Sequence, residues 1–153
     1  MELALILELK SVGIPSSSSK KENIPIERAH ITLAYLGIKN EDETNTFIEE
    51  ITPFISKNKG KFPKRAYVSG KDNFGPKNDQ PVNLISFVKD KCLHAIWKKY
   101  NKEQPHTKGL KKCNYHVLIK KDLHPEMEKN DYYVTGNIIL KEVGKKNLHS
   151  WDL

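Results

Sequence analysis

An unbroken apolar stretch at the start of the chain limits the folds that are available to it. Glu2 to Lys10 reads ELALILELK, with consecutive apolar residues from Leu3 to Leu7. A short apolar run bounded by charged residues predicts a strand that is buried on both faces of a sheet. The 153 residues of the chain are enough for one domain, or at most for two small lobes that share a core.

The rest of the chain alternates between strand and helix patterns. Phe47, Ile48, Ile51, Phe54 and Ile55 recur at helical spacing after Asn40, a predicted N-cap, and Pro53 is expected to kink or shorten this helix before Gly60. A second helix is predicted after Asp90, with Leu93, Ile96, Trp97 and Tyr100 on its apolar side. Further strands are predicted at Ile31–Leu36, Arg65–Ser69, Val82–Val88, Tyr115–Ile119, Tyr132–Glu142 and Leu148–Leu153. Loops are predicted at Gly13–Lys21, Gly70–Gln80 and Asn101–Lys112, and a short helix or turn at Asp122–Lys129.

The charge of the chain favours anionic partners without identifying one. Lys and Arg total 26 against 19 Asp and Glu, which gives a net charge of +7. Nearly all of the cations are lysines, which bind phosphate as point charges, whereas arginine is the usual reader of bases. Two interpretations follow: attraction to polyanions without base reading, or a solubilising lysine surface. The loop at 13–21, GIPSSSSKK, likewise predicts either a simple flexible connection or a cover over a phosphate site.

The sequence predicts a protein of the reduced cytoplasm. No apolar run approaches the roughly 20 residues of a membrane span, so no membrane association is expected. Leu3 to Leu7 is too short for a signal-peptide core and has no basic flank before it. The two cysteines, Cys92 and Cys113, have neither metal-ligand spacing nor a disulfide framework, and no metal site is expected from the other residues.

Two strands carry a histidine each, and these are the candidate chemical groups. Because alternate residues of a strand share a face, His30 and Thr32 point to one side of the second strand, and Ile31 and Leu33 point to the other. An imidazole can transfer a proton near neutral pH, and a hydroxyl can donate to a phosphate oxygen. A histidine and a threonine so spaced can therefore contact one small anion, although a partly exposed polar strand face would show the same spacing.

The second histidine, His116, lies in the opposite half of the chain, in the strand that starts at Tyr115. Leu118 and Lys120 share its predicted face. Two histidines across a groove would supply a general base and a general acid. Cleavage of a phosphodiester beside a ribose 2′-hydroxyl needs that pair, and it needs no metal or cofactor.

The segment from His30 to Gly37, HITLAYLG, resembles the first signature of the 2H phosphoesterases, the superfamily of LigT-like 2′-5′ RNA ligases and cyclic phosphodiesterases. The resemblance extends through Val68–Gly70, Phe74–Pro76 and the closing strands, and so over nearly the whole chain. It implies an α+β fold with two pseudo-symmetric lobes of antiparallel sheet, outer helices and a central groove, all within one domain spanning residues 1–153. It also implies His30 and His116 as catalytic residues and Thr32 as a phosphate-binding residue.

The second motif departs from this pattern. Where the superfamily carries a second Thr or Ser, this chain has Leu118. Loss of one hydrogen bond to a charged group, worth roughly 1.5–3 kcal/mol, would slow turnover about ten- to a hundred-fold without removing the acid–base pair. Lys120 on the same predicted face is a hypothetical replacement for the missing phosphate contact, and a solvated lysine at a strand end is the alternative.

The remaining histidines and aromatic residues have simpler interpretations. His106-Thr107 is a rival second motif, but it lies in a loop with Pro105 and Gly109 rather than in a rigid strand. Phe74, Tyr115 and Trp151 are candidates for stacking on nucleobases, with packing as the default for each.

Two functions are therefore expected from the sequence. One is a monomeric, metal-independent phosphodiesterase that acts on a nucleotide or RNA phosphodiester beside a ribose 2′-oxygen, in a 2′,3′-cyclic phosphate, a 2′-5′ linkage or a cyclic oligonucleotide. The alternative is a nucleotide- or RNA-binding module of the same fold without catalysis, which the lysine excess and Leu118 favour.

Overall fold

Seven strands and two helices make up the part of the chain that the computed structural model describes, namely residues 1–11, 29–100, 115–119 and 126–153. The predicted loop at 13–21, the rival motif His106-Thr107 and Lys120 lie outside these residues. In chain order the elements are β1 (Glu2–Ser11), β2 (His30–Ile38), α1 (Glu41–Lys57), β3 (Arg65–Phe74), β4 (Gln80–Ser86), α2 (Cys92–Tyr100), β5 (Tyr115–Leu118), β6 (Tyr132–Glu142) and β7 (Asn147–Trp151).

All seven strands belong to one antiparallel sheet with the order β2-β1-β6-β3-β4-β5. Strand β6 is the branch point of the sheet. Along one side it pairs with β1; along the other, its first residues pair with β3 and its last residues pair with β7. The sheet curls so far that its two end strands, β2 and β5, lie against each other. The predicted α+β class with two antiparallel lobes is confirmed, and the two lobes are halves of a single continuous sheet.

The apolar first strand forms the centre of the core. Leu3, Leu5, Leu7 and Leu9 have no exposed surface and point to the same side of the sheet as both helices. On the other side, Ala4 and Ile6 form a small cluster with Ile139 of β6. The strand is thus buried on both faces, as its sequence predicts, and it extends one residue further, to Ser11.

Helix α1 begins where its capping residues predict. The Asn40 side chain accepts a hydrogen bond from the Glu43 amide at 2.8 Å, and the Glu43 carboxylate accepts one from the Asn40 amide at 3.1 Å. This capping box satisfies two amides that the helix itself cannot pair. Helix α1 continues through Pro53 to Lys57, so the expected shortening at Pro53 is wrong, and the kink expected as its alternative stays a prediction.

Helix α2 is capped as predicted by Asp90, whose Oδ1 accepts hydrogen bonds from the amides of Leu93 and His94 at 3.0 and 3.2 Å. The two helices also contact each other. The rings of Phe47 and Tyr100 meet edge to face with their centroids 5.0 Å apart. Both helices therefore cover the same side of the sheet. Within the described part of the chain, the other side, called the open face below, is formed by the strand side chains that alternate with the core.

Strand boundaries differ from the predictions mainly between residues 70 and 80. The sequence predicts a polar loop there, but β3 continues to Phe74 and forms a hairpin with β4, in which Asp72 lies opposite Val82. No helix among the described residues is long and apolar enough to cross a membrane.

Candidate active site

The first histidine motif lies on β2, at one end of the sheet. Ile31 and Leu33 are fully buried on the core side, whereas His30 is half-buried and Thr32 is exposed. The predicted alternation holds from His30 to Leu33, and His30 and Thr32 belong to the open face. It is wrong beyond Leu33: Ala34, predicted to share the face of His30, is buried in the main core, and Tyr35, predicted to face the core, packs against the small cluster on the other side. Across the ladder, His30 lies opposite Glu8.

The second histidine lies on β5, at the opposite end of the sheet. Tyr115 and Val117 are buried in the core, whereas His116 and Leu118 are half-buried and belong to the open face. His116 lies opposite Leu84, and the ring of Phe74 meets its imidazole edge to face at a centroid distance of 4.4 Å. These neighbours make the β3–β4 side of His116 largely apolar.

The curl of the sheet is what relates the two motifs. Along the sheet, four strands separate β2 from β5, yet these two strands lie against each other. Both strands present their histidines on the same side, away from the helices. Two imidazoles and one hydroxyl therefore lie on the side of the sheet away from the helices, and groups of this kind can carry out acid–base chemistry on an anion.

A carboxylate lies on the same surface beside the first motif. The Glu8 side chain leans over Gly136 of β6, and the Asn137 amide donates to Glu8 Oε1 at 3.5 Å. A methyl group at position 136 would lie 2.5 Å from that oxygen, so any other residue there would require the Glu8 carboxylate to move. Glu8 therefore has a defined position next to the strand that carries His30.

A cavity of about 560 Å³ lies where β3, β4 and the end of β5 meet. Its lining includes Lys71 and Glu126, whose charged groups pair at 2.6 Å. The hydrogen bond that Lys71 donates to the Glu126 carboxylate raises the pKa of Lys71 above its ordinary value, although solvent screens the pair because both side chains are exposed. Lys71 is thus engaged by a carboxylate.

Two of the three aromatic residues predicted to stack on bases lie in the core instead. Tyr115 packs edge to face on Phe87 and is 8% exposed, and Trp151 is 6% exposed, with its indole N–H donating to Thr52 Oγ1 at 3.0 Å. Rings buried in this way offer no face to a nucleobase, so packing replaces the predicted role. Phe74 remains near the site, but as a neighbour of His116.

Sequence reasoning missed other aromatic and charged residues on the open face. These are Tyr67 and Arg65 of β3 and Tyr132 of β6, which alternate with the buried Ala66 and Tyr133. Their alternation was visible in the sequence, but their adjacency depends on the pairing of β3 with β6, which no local pattern specifies. Among the described residues, no group of three or more His, Cys, Asp or Glu side chains is arranged to hold a metal ion.

Comparison with known proteins gave matches only among solved structures. No protein-family model and no curated protein matched the chain. The crystal structure of a phosphoesterase matches with 11% identity and a TM-score of 0.48, over 99% of this chain and 98% of that one. The E. coli LigT structure complexed with 3′-AMP matches with 11% identity and a TM-score of 0.47, over 100% and 99% of the two chains.

The chain is similar to LigT over its full length. The protein TT0787 of Thermus thermophilus matches as well, with 16% identity and a TM-score of 0.45, over 100% of this chain and 98% of that one. At these identities and at TM-scores below 0.5, the likeness does not extend to activity, substrate or site residues.

Proposed function

We propose that this protein is a metal-independent phosphodiesterase that acts beside a ribose 2′-oxygen, with His30 and His116 as its general acid and base. The observation that carries the proposal is that β2 and β5, the strands of the two histidines, lie against each other and present His30, Thr32 and His116 on one face of the sheet.

The chemistry follows from the properties of these side chains. With a 2′,3′-cyclic phosphate, one imidazole takes a proton from the attacking water as the new P–O bond forms. The other imidazole protonates the ribose oxygen that leaves as the old P–O bond breaks. Thr32 is exposed beside His30, and its hydroxyl donates to a nonbridging phosphate oxygen. Each proton transfer by a positioned side chain contributes roughly 10²- to 10⁴-fold to the rate.

Only one of the two histidine-bearing strands supplies a hydroxyl donor to the phosphate. Thr32 supplies a hydroxyl from β2, whereas Leu118 supplies none at the corresponding place on β5. Lys120 as a further phosphate contact stays a prediction. Residues 1–153 then act as a single bilobal unit that is monomeric and cytoplasmic. The enzyme needs no cofactor, and its substrate is a nucleotide or RNA.

The test measures cleavage of a 2′,3′-cyclic mononucleotide, a 2′-5′-linked dinucleotide and a cyclic oligonucleotide, each in the presence of EDTA. We expect His30→Ala and His116→Ala each to lower kcat about 10²- to 10⁴-fold, and the double variant to lose little more, because the two groups act in one step. The matched control is His94→Ala, an exposed histidine of α2 that stacks near Trp97 on the helical side of the sheet.

Three results would contradict different parts of the proposed function. Folded wild-type protein that cleaves none of the three substrates contradicts the proposal. Cleavage that EDTA abolishes and a divalent cation restores contradicts metal independence. Cleavage that survives both histidine substitutions removes the assigned roles.

A second candidate is a binding module of the same fold that does not catalyse a reaction. Leu118 favours it, because an apolar residue beside His116 weakens the hold on a transition-state phosphate. Tight nucleotide binding without turnover, unchanged by His30→Ala and His116→Ala, is the result that would support the binding module against the enzyme.

A further inference from the structure

Three side chains at the centre of the open face are explained neither by the core nor by the proposed acid–base pair. Arg65 and Tyr67 on β3 alternate with the fully buried Ala66, and Tyr132 on β6 precedes the buried Tyr133. Tyr67 lies directly opposite Tyr132 in the β3–β6 ladder. The three side chains therefore share the face that carries the histidines, and we call them the aromatic platform.

Within the platform, the Arg65 guanidinium lies over the Tyr132 ring, and the two tyrosine rings contact each other at a tilt. The Arg65 guanidinium carbon lies 4.7 Å from the centroid of the Tyr132 ring, and the rings of Tyr67 and Tyr132 have centroids 6.0 Å apart at an angle of 52°. The tilt means that the two rings do not stack face to face on each other. Both rings are half-buried, and neither belongs to the two hydrophobic clusters among the described residues.

The position of the platform relates it to both histidines. In the strand order, β1 alone separates β6 from β2, and β4 alone separates β3 from β5. At a spacing of roughly 4.8 Å between strands, the platform lies about 10 Å along the sheet from each histidine-bearing strand. The strand order therefore places the platform between the strands of the two motifs, on the open face.

Charge beside the rings suits a nucleotide rather than a neutral ligand. Val134 of β6 lies opposite Lys10 of β1 on one side and opposite Arg65 of β3 on the other. Two cations therefore flank β6 two residues after Tyr132. Planar rings and a guanidinium stack on nucleobases, and nearby cations attract the phosphates attached to them.

We propose that Arg65, Tyr67 and Tyr132 form the nucleobase-binding surface of this protein. Its substrates then carry a base next to the phosphodiester, and base-free cyclic phosphates are poor substrates. The inference rests on the proposed function and adds to it the part of the substrate that is recognised away from the reacting phosphorus.

The test compares adenosine 2′,3′-cyclic phosphate with ribose 2′,3′-cyclic phosphate, which lacks the base. We expect the wild type to prefer the adenosine compound about ten- to a hundred-fold in kcat/KM, mostly through KM, in line with the stacking energy of a base. Tyr132→Leu and Tyr67→Leu remove most of that preference and leave turnover of the ribose compound unchanged. Tyr132→Phe keeps the ring and keeps the preference.

The matched control is Tyr100→Leu, which removes a half-buried tyrosine from α2 on the other side of the sheet and leaves the preference intact. A wild type without a preference for the base, or leucine variants that keep it, overturns the proposal. If no compound is cleaved, the proposed function fails. The base-binding role of the platform is then tested separately, by measuring the binding of AMP and of ribose 5-phosphate. AMP binding that exceeds ribose 5-phosphate binding and is lost in Tyr132→Leu supports the platform, and equal binding of the two overturns it.

Discussion

Leu118 is the residue at which this chain departs from the pattern that its first motif resembles. It lies on the open face, two residues after His116 and opposite Val82 of β4. A β-branched residue is well suited to a strand at this position, so the hydroxyl can be tested by substitution without changing the backbone.

We expect Leu118→Thr to raise kcat for a cyclic phosphate about ten-fold, because a hydroxyl donor to the charged phosphate contributes roughly 1.5–3 kcal/mol in the transition state. The matched control is Leu118→Val, which has nearly the shape of threonine but no hydroxyl, and it stays at the wild-type rate. An equal effect of the two substitutions would show that size, not hydrogen bonding, limits turnover.

A second residue-scale prediction concerns Tyr133, on the core side of the same sheet. Burial raises the pKa of Tyr133 to about 12 from an ordinary value of 10.0, while the hydrogen bond from Asn83 Nδ2, at 3.3 Å, acts in the opposite direction. The unfolded chain releases the phenol proton near pH 10 and the folded chain only near pH 12, so the stability associated with the neutral phenol is complete below pH 10.

We therefore expect the free energy of unfolding to fall as pH rises from 10 to 12, by up to about 3 kcal/mol if Tyr133 alone is responsible. Urea unfolding at about pH 9 and about pH 11, with absorbance of the phenolate as a second signal, measures the loss. Tyr133→Phe removes the titrating group, and a pH slope as steep in this variant as in the wild type would refute the assignment.

Individual residues also show how far the site follows from the sequence. Strict alternation places His30, Thr32 and His116 on one face because the neighbouring Ile31, Leu33 and Val117 have to be buried. The same alternation could have shown that Tyr115 lies on the core side, since it precedes His116. Tyr67 and Tyr132 could not be paired in advance, because their contact depends on a ladder between segments far apart in the chain.

At the scale of the elements, the best predictions came from local chemistry. The capping box at Asn40 and the Asp90 cap are formed by neighbours in sequence, and both are present. The limits of β6 are also those predicted, Tyr132–Glu142. Both strands of the β3–β4 hairpin were predicted, but the continuation of β3 from Gly70 to Phe74 was missed, because its polar residues are held by cross-strand hydrogen bonds rather than by an apolar pattern.

Gly136 supplies a prediction for the contact of β1 with β6. A Cβ at this position would lie 2.5 Å from Glu8 Oε1 and 3.2 Å from Glu8 Cγ, so Gly136→Ala displaces the carboxylate. We expect the substitution to lower the free energy of unfolding by about 1 kcal/mol, as moderate overpacking does.

The double-mutant cycle with Glu8→Ala is the control for this effect. In the Glu8→Ala background, Gly136→Ala should be neutral or slightly stabilising, because alanine restricts the unfolded chain more than glycine does. Urea unfolding of the four proteins measures the coupling. A penalty of the same size in both backgrounds would exclude the contact with Glu8 as its cause.

At the scale of the whole molecule, the net charge of +7 predicts salt-dependent capture of substrate. Raising the salt concentration from about 50 to about 300 mM should raise KM for an RNA trinucleotide with a 2′,3′-cyclic phosphate about three- to ten-fold, while kcat changes little, because screening acts on encounter and binding. A cyclic mononucleotide, with fewer charges, is the control and shifts less. Equal shifts for the two substrates would contradict long-range attraction by the lysine surface.

The place of β1 in the sheet also determines when the molecule can assemble. This first strand is flanked on one side by β2 and on the other by β6, and its Glu8 meets the Asn137 amide across 129 positions of the chain. During synthesis, the leucines of β1 therefore emerge long before the strand that completes their cover. Contacts between such distant segments slow folding, so nascent chains are expected to hold this apolar segment unprotected until translation has passed β6.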